Sequence, residues 1–201
     1  MVGTYNFQSL TKKQQQLIET ARNLFCVHGI RRVTIEEICK SANVSKMTYY
    51  KYFTNKWDIA KTVIDVLFDE VTTLHKEVLE EDISFPQKVE KILKLNKEQF
   101  NTVGAAFIND LLNENSPLHL YFLEQHKKTR EIAIVFFSNA QREGLIHSDI
   151  KMPFLLFMLD HLSDLVNHPE FVQIMPDVED RVCELSAFFF HGFARSSALA
   201  G

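Results

Sequence analysis

The stretch Thr34–Lys56, TIEEICKSANVSKMTYYKYFTNK, reads as two short helices joined by a tight turn. Thr34, followed three residues later by Glu37, is a capping box in which each side chain satisfies an orphaned N–H of the first helical turn. Ile35, Ile38 and Ala42 fall at helical spacing on an inward face, while Glu36, Glu37 and Lys40 point to solvent. Asn43 tolerates the left-handed conformation that ends such a helix, and Ser45 is a good N-cap for the next. The spacing predicts a second helix over 46–52, with Tyr49 and Phe53 turned inward and Lys46, Met47, Thr48, Tyr50 and Lys51 turned outward. That is the outline of a helix-turn-helix whose second helix suits the DNA major groove.

The surrounding composition agrees with that outline. The chain has 201 residues, 46% of them hydrophobic, enough for a full core in one body or in a small head plus a larger body. Its net charge of −4 hides a split: residues 1–60 carry nine Lys and Arg against four Asp and Glu, or +5, and the remainder is −9. A basic head attracts a polyanion and an acidic body keeps clear of it. No apolar run reaches the roughly 18 residues of a membrane span, and the polar N-terminus lacks a signal-peptide core, so a cytoplasmic protein is expected. Cys26, Cys39 and Cys183 lack metal-ligand spacing and read as reduced core residues.

Helical periodicity continues along the whole chain, and the expected fold is all-α. A helix over 11–28 stops at Gly29, and another runs over 55–79 without a breaker. Further helices are expected over 86–102, 105–113, 117–143, 153–167 and 178–194, with Pro86, Pro117 and Pro153 at helix starts and Gly144 as a stop. The expected domains are a three-helix DNA-binding head over 1–54 and a helical body over 55–201.

The segments ARNLFCVHG at 21–29 and TIEEICKSANVSKMTYYKYF at 34–53, with Lys56 just after, resemble in order and spacing the head of the TetR/AcrR family of one-component transcriptional regulators. EGLIHSDI at 143–150 resembles the turn after that family's seventh helix. Asn43 stands where the family usually has Gly, and Tyr49 where Leu is commoner. The resemblance implies phosphate contacts from Thr34, Ser45, Thr48, Tyr50, Tyr52 and Lys56, whose hydroxyls and ammonium suit that role near helix N-termini. For Tyr50 and Tyr52, packing against neighbouring helices is the competing reading. Lys46, Met47 and Lys51 are the candidates for base edges: Lys for guanine acceptors, Met for a thymine methyl.

One short recognition helix makes few contacts, so two heads on a pseudopalindrome are needed, and something must dimerise. Phe154, Phe157, Met158, Leu162 and Leu165 in one late helix, with Leu185, Phe188 and Phe189 in the last, are too apolar for one core face each. Paired across a twofold axis they would form a four-helix bundle, the rival being burial within one chain. The middle helices hold Phe100, Phe107, Ile108, Leu111, Tyr121, Phe122 and Phe137. Any one of these is most simply a core residue; as a group, the resemblance implies that some border a cavity for a small hydrophobic or aromatic effector.

The function expected is that of a ligand-responsive regulator, most simply a repressor that binds operator DNA as a homodimer and is released by its effector. The alternative is a helical DNA-binding protein with a structural or protein-interaction role and no effector. Catalysis finds no positive feature, since Gly-rich phosphate loops, GxSxG and HExxH are lacking, and no cofactor is expected. His161, Asp164 and His168 share one helical face that suits a metal, but no fourth ligand is evident and the pattern equally describes a polar face.

Overall fold

The computed structural model describes residues 7–166 and 168–193. A short 3-10 turn, Phe7–Ser9, leads into α1 (Lys12–His28), α2 (Ile35–Ser41), α3 (Lys46–Tyr50) and α4 (Lys56–Glu80). There follow α5 (Phe85–Val103), α6 (Ala105–Leu112), α7 (His119–Arg142), α8 (Met152–Val166), α9 (Pro169–Ile174) and α10 (Val178–Phe193). The fold is all-α, with a helix-turn-helix head and a helical body. Among the described residues no helix is long and apolar enough to cross a membrane.

Local chemistry sets most of the helix starts. Thr11 caps α1 by a capping box with Gln14, and Thr34 caps α2 by the one expected with Glu37. Ser45 Oγ accepts the Thr48 N–H at 3.1 Å to start α3. Asn55 Oδ1 accepts the Asp58 N–H at 3.0 Å while Asp58 reaches back to the Thr54 N–H at 2.9 Å, which opens α4. Such reciprocal bonds satisfy donors that a first turn otherwise leaves unpaired.

Several expectations shift. α3 ends at Tyr50 rather than 52, because residues 51 and 52 form a turn that brings the Phe53 N–H to Tyr49 O. Pro117 lies ahead of its helix: the His119 N–H bonds Ser116 O in a turn, and α7 starts only at His119. α9, opened by Pro169 at its first position, was not expected at all. Of the cysteines, Cys39 is buried as expected, but Cys26 is only partly buried and Cys183 is exposed, so the core reading does not hold for Cys183.

The chain packs as two compact units. The first comprises residues 1–73 and 98–129, the second 74–97 and 130–201. In the first, Leu17, Ala21 and Phe25 of α1, Ile38 of α2, Tyr49 of α3, Ile59 and Val63 of α4 and Phe107 and Leu111 of α6 form a continuous core. Phe25 and Phe107 stack with ring centroids 6.3 Å apart. Arg22 and Glu70 add an ion pair of 2.7 Å between α1 and α4. In the second, Phe85 and Val89 of α5, Phe137 and Ala140 of α7, Ile146 and Leu155 and Leu156 of α8 make a separate core.

Candidate nucleic-acid interface

The turn between α2 and α3 is built on Asn43, the one described non-glycine residue with positive φ, at 49°. Its neighbours lock the turn: the Val44 N–H bonds Cys39 O at 3.0 Å, and Ala42 is fully buried beneath it. Asn pays little strain in this conformation, which is why it stands in for glycine here. Tyr49 anchors α3 from below. Its ring is fully buried and its hydroxyl donates to Asn55 O at 3.0 Å, tying α3 to the start of α4. Burial pushes the Tyr49 hydroxyl well above the ordinary range, so it stays a donor.

Over that anchored base the outward face of α3 is free of packing duties. Met47 is 72% exposed and Tyr50 is 55% exposed, with Lys51 exposed beside them. Tyr50 meets the scaffold in an edge-on contact with the Tyr49 ring. Lys46 is exposed and paired with Glu36 of α2, a partner that spacing alone did not suggest. That pair holds the Glu36 carboxyl below its ordinary range and the Lys46 ammonium above its own. Both groups are therefore charged at neutral pH.

The remaining candidates around the motif are less free. Thr34 Oγ1 is within 2.8 Å of Glu37 Oε2 and accepts the Glu37 N–H, so it serves the cap while remaining exposed. Ser45 Oγ and Thr48 Oγ1 share a hydrogen bond of 2.9 Å. Tyr52 packs against the first core and its hydroxyl lies 3.4 Å from Thr11 Oγ1, so it does have the packing role weighed above. Lys56 donates to Arg31 O and to Val33 O, both at 2.9 Å, and burial lowers its ammonium pKa.

The middle-helix candidates divide between the units. Phe107 and Leu111 are 1% exposed in the first core, and Ile108, Tyr121 and Phe122 pack against it. Tyr121 donates its hydroxyl to the half-buried Asp65, whose carboxyl burial pushes up, and Lys61 lies over the Tyr121 ring. Phe137 is buried in the second core, and the side chain of Phe100 lies outside the described residues. In the second unit Phe154, Phe157, Leu165 and Phe188 are exposed, Met158, Leu185 and Phe189 partly so, and the Leu162 side chain lies outside the described residues. His161 gives a ring nitrogen to Phe157 O at 2.7 Å, and the Asp164 side chain is not among those described. Among the described residues no cluster of three or more His, Cys, Asp or Glu is placed to hold a metal ion.

Residues 17–63 match the model of the bacterial regulatory proteins of the tetR family. The chain is similar to the uncharacterized HTH-type transcriptional regulator YdgC of Bacillus subtilis, 27% identical over 164 residues, 76% of this chain and 80% of that protein. It is also similar to a probable acrEF/envCD operon repressor of Escherichia coli, 42% identical over 45 residues, but over only 22% of this chain and 20% of that protein. In fold it is similar to the fatty acid degradation regulator FadR from Bacillus halodurans, with a TM-score of 0.74 at 17% identity, covering 92% of this chain and 97% of that one. A capped helix-turn-helix in the matched segment and helices of matching arrangement beyond it agree with one another: residues 17–63 form a DNA-binding head of the tetR regulatory type, and the chain has the fold of a transcriptional regulator.

Proposed function

We propose that this regulator is a repressor that binds a pseudopalindromic operator as a homodimer and leaves it when a small hydrophobic or aromatic effector binds the body. The observation that carries the DNA reading is the exposed face of α3 and its C-cap, Met47, Tyr50 and Lys51 over a fully buried Tyr49. Side chains that stay largely exposed on or beside a capped helix are suited to enter a groove. Lys46, Met47 and Lys51 would read base edges, while Thr34, Ser45, Thr48 and Tyr50 would hold phosphates and so fix the register.

Dimerisation is supported by the second unit, where Phe154, Phe157, Leu165 and Phe188 leave apolar surface uncovered on α8 and α10. A twofold bundle of these helices would cover it and carry two heads about one helical turn of DNA apart. The repressor role draws on the E. coli operon repressor, which matches over 45 residues. The effector class draws on the apolar character of α6 and on the fatty acid regulator with the same fold. Ile108, Tyr121, Phe122 and Phe100 are the residues we would place at its site. The functional boundary follows the sequence reading, with 1–54 as the reading head and 55–201 as the part that responds.

The test is fluorescence-anisotropy titration of DNA from upstream of the protein's own gene, against scrambled DNA at one salt concentration. Preferential binding, reversed by medium-chain to long-chain fatty acids, supports the whole reading. Equal binding to both DNAs removes the regulatory reading in favour of a structural DNA-binding role.

A further inference from the structure

The loop over residues 29–33, between α1 and α2, is gripped from two directions within the first unit. Asp110 of α6 accepts the backbone N–H of Arg31 at 2.9 Å, with the Arg31 guanidinium Nε 3.7 Å from its other oxygen. From the other direction Lys56, the first residue of α4, places two of its three N–H donors on Arg31 O and Val33 O. Arg31 therefore has both its backbone donor and its backbone acceptor held by side chains distant in sequence. The next residue beyond the loop is Thr34, the cap of α2.

The backbone on both sides of this grip is shaped for it. A Cβ on Gly29 would sit 2.7 Å from Asp110 Oδ2 and 3.3 Å from Ala106 O, and one on Gly104 would sit 2.3 Å from Cys26 O. Both glycines have φ of 78°. Only glycine lets α6 come this close to the end of α1 in that conformation. The Asp110 side chain is only 18% exposed, so its carboxylate is committed to Arg31 rather than to solvent.

We infer that Asp110 and Lys56 are positioning residues for DNA reading, which set how α2 and α3 leave α1 without themselves touching the nucleic acid. This rests on the DNA-binding reading, and it differs from the phosphate contact that the family resemblance implies for Lys56. The two roles separate by salt dependence. Each phosphate contact contributes about 0.9 to the slope of log affinity against log salt concentration, whereas a positioning residue contributes nothing to it.

The experiment titrates operator and scrambled DNA between 50 and 200 mM salt with the full chain and its Asp110→Ala, Asp110→Asn, Lys56→Met and Lys51→Ala variants. Hydrogen exchange is followed over residues 30–36 of the same proteins without DNA. Asp110→Ala and Lys56→Met should each lower operator affinity about tenfold, leave scrambled binding and the salt slope unchanged, and speed exchange over 30–36. Asp110→Asn should restore most of the affinity, because its amide oxygen accepts the same N–H. Lys51→Ala is the reference for losing one exposed cation at the DNA surface, with a slope smaller by about 0.9. The inference is overturned if Lys56→Met loses slope as Lys51→Ala does, or if exchange over 30–36 is unchanged in both Asp110→Ala and Lys56→Met. A wild type without operator preference removes the DNA reading itself, and the exchange data then still decide whether the loop is held as described.

Discussion

In the first unit Leu17, Ala21, Phe25, Ile30, Ile38, Ala42, Tyr49 and Ile59 are all fully buried, each reaching its neighbours across a helix boundary. In the second unit Phe154, Phe157 and Phe188 are 61%, 55% and 77% exposed beside a separate core that includes Phe85, Phe137 and Leu155. Three phenylalanine rings of α8 and α10 thus stand in water, while the buried set of the first unit runs through α1, α2, α3, α4 and α6. Uncovered apolar surface of that kind marks a place where another molecule belongs.

The largest effect should come from opening the first unit's core. Phe25→Ala removes the ring that stacks on Phe107, and equilibrium urea unfolding should show a loss of about 3–5 kcal/mol. Phe188→Ala in the other unit should cost far less at low protein concentration, and equal losses would erase the contrast. Next comes assembly: Phe157→Lys combined with Phe188→Lys should weaken the dimer by at least about tenfold in sedimentation equilibrium while helicity is kept. A dimer of unchanged strength would place its interface elsewhere.

A smaller effect is expected at the α2 cap. Thr34→Ala removes the acceptor for the Glu37 N–H and should cost about 1 kcal/mol in the same unfolding assay. The smallest concerns His75 in the second unit, whose Nε2 lies 2.7 Å from Asn96 Oδ1 and whose pKa burial lowers. A His with a depressed pKa favours the neutral ring in the folded state, so its contribution is present above about pH 6.5 and is lost as pH falls through the folded value. Unfolding midpoints should therefore drop on acidification to pH 5, and His75→Gln should flatten part of that slope. An unaltered slope would show that other groups carry it.

Much of the head was legible because its determinants are local. Thr34 with Glu37, the Ser45 cap and the left-handed Asn43 all act within four residues, and the structure has each where spacing puts it. The cap formed by Thr11 and Gln14 follows the same pattern and needed only the same rule. What sequence could not display are partners far apart in the chain. Asp110 meets Arg31 across 79 positions, and its one visible sign was a lone acid in the apolar AAFINDLL helix. Lys56 was given only the phosphate contact that the resemblance implies, because its acceptors in the fold are backbone carbonyls, which leave no trace in side-chain spacing. Cys183 was misjudged for a related reason: apolar periodicity marks which residues share a stripe, not whether that stripe is covered. The short α9 was missed despite Pro169, since six residues are too few for periodicity to stand out.

The division of labour inside α3 bears on how such a protein can change over evolutionary time. Tyr49 supports the fold and Met47, Tyr50 and Lys51 do not. Replacing an exposed side chain away from caps and cores typically alters stability by no more than about 0.5 kcal/mol. If Met47 and Lys51 read base edges as proposed, duplicated copies of this gene can explore new base preferences at these two positions while selection holds the buried tyrosine beneath them fixed, and the scaffold imposes almost no penalty on that drift.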